Sequence, residues 1–187
     1  MKHIAFYCTF LCLFLTPGKA AAQETTIYEV KAGKIEFFSD APKELIQASS
    51  SKLMGVVDVT RHTFAFKITM SSFMGFNSPL QREHFNENYM ETNAFPDASF
   101  NGKIIETPDM SKDGTYEVRA KGKLSIHGIV QERIIKVNVV MKKQRMTVAS
   151  DFTVLLADHN IKIPRVVYNK LAAEINVTLR ASLTPRN

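Results

Sequence analysis

Cysteine is almost missing from this chain: Cys8 and Cys12 are the only two, and both fall inside an N-terminal apolar run. Residues 23–187 therefore carry no thiol. That excludes a cysteine nucleophile, a thiolate zinc site, an iron–sulfur cluster and a disulfide framework. Tryptophan is absent altogether, so aromatic surface must come from phenylalanine and tyrosine. No apolar run is long enough to span a bilayer. The longest, Ile4–Leu15, would make a helix of about 18 Å against a hydrocarbon core of about 30 Å. There is no HExxH pair, GxSxG elbow or glycine-rich phosphate loop, and no two carboxylates stand at a telling spacing.

What is present at the N-terminus reads as an export leader. Lys2 supplies the positive start, Ile4–Leu15 the apolar stretch, and Pro17-Gly18 a break before Ala20-Ala21-Ala22. Cleavage is expected after Ala22, leaving one exported domain over residues 23–187, bound for the periplasm or the medium. Tyr7 and Leu11 precede the two cysteines, which argues against lipoprotein processing. The whole chain has a formal net charge of +6, of which Lys2 and Lys19 leave with the leader. The remaining excess is scattered and not interleaved with aromatics, so no nucleic-acid partner is expected.

Beyond the leader the pattern has period two. Phe64, Phe66, Ile68 and Met70 alternate with Ala65, Lys67 and Thr69. Four more stripes follow: Tyr116 to Ile126, Ile135 to Met141, Met146 to Leu156, and Ala173 to Leu183. Such alternation describes antiparallel strands with one buried face. Earlier strands are expected over Ile27–Lys31, Lys34–Ser39, Glu44–Ser49 and Leu53–Val59, with a turn at Ala32-Gly33. Asp113-Gly114 reads as a hairpin turn from Phe100–Glu106 into the Tyr116 strand. Long strands in sequential order with short turns favour an all-β fold, a closed antiparallel barrel without exposed edges. A Greek-key sandwich is the competing arrangement.

Residues 71–97 break the pattern. Ser78-Pro79-Leu80-Gln81 has the form of a helix start: a Ser cap, Pro at the first turn and Gln three residues on. The helix is expected to run to about Tyr89. With Phe73, Phe76, Phe85, Tyr89 and Phe95, this connection carries more rings than a surface loop needs, and it should cover something.

This stretch resembles the signature of the YceI-like family. The matching residues are Arg82-Glu83-His84-Phe85, Tyr89-Met90 and Phe95-Pro96-Asp97-Ala98-Ser99-Phe100. A second segment, Gly122-Lys123-Leu124-Ser125-Ile126-His127-Gly128-Ile129, is similar to the family's strand-and-turn motif. The N-terminal run Tyr28–Phe37 departs from the family's usual start. The resemblance implies an eight-stranded lipocalin-like barrel, exported, whose lumen accepts a long isoprenoid or fatty-acyl molecule.

Ten Phe, four Tyr and seven Met remain beyond the leader, suited either to filling a barrel or to lining a lumen for a flexible tail. The expected lumen and cap residues are Phe64, Phe66, Ile68, Met70, Phe73, Phe76, Phe85, Tyr89 and Phe100. Arg82 and His84 are the candidate head-group contacts. The partner is then a long-chain apolar small molecule, held without a metal, a cofactor or catalysis and without stable membrane insertion; a homodimer stays open. Two alternatives stand beside this reading: an interaction or stress-response module with a solid interior, and a lipid-modifying enzyme using His84 or His159 as base.

Overall fold

A computed structural model describes residues 26–186; the leader expected over residues 1–22 lies outside them. The strands are β1 (Ile27–Ala41), β2 (Glu44–Ser50), β3 (Met54–Asp58), β4 (Thr63–Thr69), β5 (Asp97–Ile104), β6 (Gly114–Ile126), β7 (Ile129–Lys142), β8 (Arg145–Leu155) and β9 (Glu174–Pro185). All their pairings are antiparallel, and β9 returns to β1 from Tyr28↔Pro185 to Phe38↔Asn176, closing the sheet. On the opposite edge of β1, β3 pairs with Ile27–Glu29 and β2 with Ile35–Ala41. β2 and β3 thus share one place in the ring, interrupted at residues 51–53. The result is the expected closed barrel of eight strand positions.

The stripes read from the sequence face inward. Val118, Ala120 and Leu124 of β6, Ile135, Val139 and Met141 of β7, and Ala181 and Leu183 of β9 are all buried. Their alternating neighbours, such as Lys121, Lys136 and Arg180, are exposed. Burying the larger of these side chains at about 1.5–3 kcal/mol each is what replaces disulfides as the source of stability.

Two local expectations need correction. First, Ala32-Gly33 is not a turn. The β1–β9 register shifts between Val30 and Ala32, so a bulge bends one long strand where two were expected. Second, Asp113-Gly114 is not a hairpin turn. Gly114 opens β6, which overshoots β5 because Ile104 already pairs with Ala120. Residues 105–113 run back along the overshoot and set Met110, 2% exposed, into the lower end of the barrel. The helix reaches Tyr89 as expected, but α1 (Pro79–His84) gives way to a π turn over Phe85–Tyr89, closed by Met90 N–H donating to Phe85 C=O at 2.9 Å.

The helix start itself follows the sequence. Ser78 Oγ accepts from the Gln81 N–H at 3.1 Å, and Gln81 Oε1 accepts from the Asn77 N–H at 3.0 Å. Tight turns join the long strands. His127 and Gly128 take φ of 50° and 73° between β6 and β7, the two left-handed positions that a two-residue hairpin of the favoured twist requires. The chain directions put the β1–β2 turn, residues 70–96, the His127-Gly128 turn and residues 156–173 at one end, the upper rim.

Candidate functional site

Inside the barrel lies a cavity of about 250 Å³. All nine expected residues line it: Phe64, Phe66, Ile68 and Met70 from β4 and the turn after it, Phe100 from β5, and Phe73, Phe76, Phe85 and Tyr89 from the excursion above. Phe64 and Phe100 meet at 4.8 Å between ring centroids, across the paired strands β4 and β5. The interior is therefore hollow, and the expectation of a solid core, kept as an alternative, does not hold for this barrel.

The excursion exists because the wall is incomplete. β4 pairs with β3 but not with β2, whose outer edge has a single backbone bridge, Ser49↔Met74. Residues 70–96 fold over that edge. Their rings form one cluster with Phe37 of β1: Phe37 stacks on Phe85 at 5.5 Å and 16°, and Phe76 and Phe73 approach Phe85 at 5.0 and 6.0 Å. Each such pair contributes about 0.5–1.5 kcal/mol beyond burial. Polar tethers fix the cap at both sides. Asn77 Nδ2 donates to Leu45 C=O at 3.0 Å, Gln81 Nε2 donates to Glu44 at 2.9 Å, and His127 Nε2 pairs with Glu91 at 2.6 Å.

Of the polar side chains on the lining, Ser39, Ser150, Lys67 and Gln81 are engaged by other protein groups. Ser39 Oγ accepts from the Ala172 N–H at 2.9 Å, and Ser150 Oγ donates to Lys136 C=O at 2.7 Å. Lys67 reaches outward to Asp97 at 3.0 Å, and this contact, with Thr69, holds the Asp97 carboxyl below its usual range. Burial raises the Tyr89 phenol. The cavity offers area and shape but almost no unpaired donor or acceptor, so what it can do chemically is hold an apolar molecule.

The two expected head-group residues stand apart from the lining. Arg82 donates from Nε to Phe73 C=O at 3.2 Å and from Nη2 to Ser71 C=O at 3.1 Å, which commits its guanidinium to bracing the cap backbone. His84 is exposed at the end of α1. His159 is fully buried under the β6–β7 turn, with Nδ1 facing Ile129 C=O at 3.2 Å, and burial lowers its pKa.

The YceI-like domain profile matches residues 26–183, nearly the whole described chain. The chain belongs to the YceI-like family. Among solved structures, this YceI-like chain is similar to a polyisoprenoid-binding domain from Saccharophagus degradans (16% identity, 85% of this chain and 98% of that one, TM-score 0.70). It is also similar to BcnA from Burkholderia cenocepacia (14% identity, 80% and 95% covered, TM-score 0.67). The YceI protein of Campylobacter jejuni matches at 12% identity over 100% and 94% of the two chains, with a TM-score of 0.53. No curated protein matches the chain. At these identities the structures establish the shared fold.

Sequence reasoning missed part of the lining. Phe37, the ring on which the cap closes, sits in an alternating run with Ile35 and Ser39, a signal that was legible. Ile161 and Leu171 come from an aperiodic Pro-containing loop, where no pattern announces an inward side chain.

Proposed function

We propose that this chain is an exported carrier that holds a long apolar molecule, of isoprenoid or fatty-acyl type, in the barrel cavity without altering it chemically. One observation carries the reading: a closed barrel keeps an almost wholly apolar cavity open under a capping cluster of rings. The similarity to a polyisoprenoid-binding domain supports the ligand class. Each buried methylene contributes about 0.8 kcal/mol, so ten buried carbons give about 8 kcal/mol, near a micromolar dissociation constant. Affinity then grows with tail length and depends little on the head group. Residues 1–22 act as the cleaved leader, and the carrier works in the periplasm or outside the cell.

The test is solvent extraction of the purified protein followed by mass spectrometry, with displacement of a fluorescent acyl probe by isoprenols of increasing length. Recovery of a lipid, and competition that strengthens with chain length, is the expected outcome. An empty extract together with no probe uptake defeats the reading.

A further inference from the structure

Residues 160–173 cross the upper rim from β8 to β9, and this loop has two faces. Ile161 and Leu171 turn down and line the cavity. Between them a single 3-10 turn, Arg165–Val167, stands away from the barrel behind Pro164. Val166 at its tip is 88% exposed, more than any other large apolar side chain among the described residues, and Tyr168 is 59% exposed. The loop is held to the barrel from beneath, so the tip is displayed rather than loose. Lys43 N–H donates to Asn169 C=O at 2.8 Å, and Ala172 N–H donates to Ser39 Oγ at 2.9 Å.

Within the loop the charge is of one sign, while Asp40 and Glu44 flank Lys43 in the adjoining turn and Glu44 is engaged by Gln81. Lys162, Arg165 and Lys170 are exposed, no acidic residue lies between Asp158 and Glu174, and Lys43 adjoins from the β1–β2 turn. Among the described residues none of these four cations is in an ion pair. Glu83 and Glu87 lie on the excursion, another arc of the rim, so the positive face is that of this loop, with Lys43 added at its edge.

We propose that this tip docks the upper rim of the barrel on an anionic lipid surface. Val166 and Tyr168 enter the headgroup boundary while Lys43, Lys162, Arg165 and Lys170 lie against lipid phosphates. Lysine is depleted at the core of protein interfaces. Lysines and an arginine around a small apolar tip with a tyrosine are instead the residues that seat at a bilayer interface. The docking is peripheral, since a tip of two apolar side chains inserts weakly by itself and needs the charge for its affinity. It goes beyond the carrier reading and is argued from the loop alone.

Cosedimentation of the purified protein with vesicles tests it. Vesicles of equal parts phosphatidylglycerol and phosphatidylcholine should bind the protein, and vesicles of phosphatidylcholine alone should not. The triple variant Lys162→Ser, Arg165→Ser, Lys170→Ser should lose about a hundredfold in partitioning to the anionic vesicles, about fivefold per charge. Val166→Ser should lose about fivefold. These side chains are exposed, so thermal melting serves as the control and should not move. Equal binding to both vesicle types, or variants that bind like the parent, overturns the proposal. So does a chain that ignores vesicles, whether it is a monomer or a dimer that Val166→Ser dissociates. The assay scores the surface whether or not extraction recovers a lipid from the cavity, so the two readings stand or fall separately.

Discussion

Ala120 offers a direct probe of the cavity, because filling the space and emptying it of ligand should move two measurements in opposite directions. It lies on the inner face of β6, 6% exposed, paired across the sheet with Ile104 on one side and Ile135 on the other, and it lines the cavity. Ala120→Leu adds three carbons there. If they enter open space, burial contributes about 0.8 kcal/mol per carbon, up to about 2.4 kcal/mol of added stability. For a domain of this size that raises the melting temperature by roughly 5–9 °C. The same three carbons displace a comparable length of ligand, which weakens binding by about the same energy, roughly fiftyfold. Differential scanning calorimetry and titration with a fluorescent acyl probe read the two effects. In a filled interior, by contrast, the added carbons cost about 1–3 kcal/mol through overpacking. A lowered melting temperature with unchanged probe binding would refute the open-cavity argument.

Further outcomes follow from the same geometry. Phe85→Ala removes the ring on which Phe37, Phe73 and Phe76 converge. It should cost about 2–3 kcal/mol and speed probe release in stopped-flow more than it slows entry. Gly102→Ala should destabilise by about 3 kcal/mol in chemical denaturation, because its Cβ would run into the Lys121 carbonyl on the facing strand. Stability should also fall as pH drops below about 6.5, the ordinary value for histidine. Buried His159 resists protonation while the unfolded chain accepts it, so the unfolded state binds more protons in this window and stability rises with pH. The slope, at most about 1.4 kcal/mol per pH unit, should vanish in His159→Gln, measured by urea midpoints from pH 7 to 5. A separate acid loss should begin only lower, where Asp97, Asp151 and Asp109 protonate. Lys67, the Thr178 hydroxyl and the Ser111 hydroxyl respectively lead in holding these carboxyls down, Asp109 to about 2.

Most of the barrel was legible because its physics is periodic. A strand buried on one face must alternate, and the Tyr116, Ile135, Met146 and Ala173 stripes do so without a break. The Phe64 stripe is equally plain, and the ring count of residues 71–97 marks a cap. Errors arose where one local signal has two structural solutions. Ala-Gly suits a turn or a bulge, and only the register against β9 decides between them. Asp-Gly suits a hairpin, yet strand lengths elsewhere pushed the connection back to residues 105–113. A charged residue beside an aromatic cap suggests a ligand contact. Whether Arg82 is free depends on two carbonyls, at Phe73 and Ser71, that only the folded excursion brings within reach.

The longest edge of the first strand is completed by the last, from Tyr28↔Pro185 onward. A chain emerging from its N-terminus therefore cannot shut the ring until β9 exists, and the loop that must be closed spans nearly all of the described residues. Such distant pairing makes folding slow. On the export reading proposed above that delay is an advantage, because a polypeptide crosses a membrane unfolded and this architecture postpones its own completion.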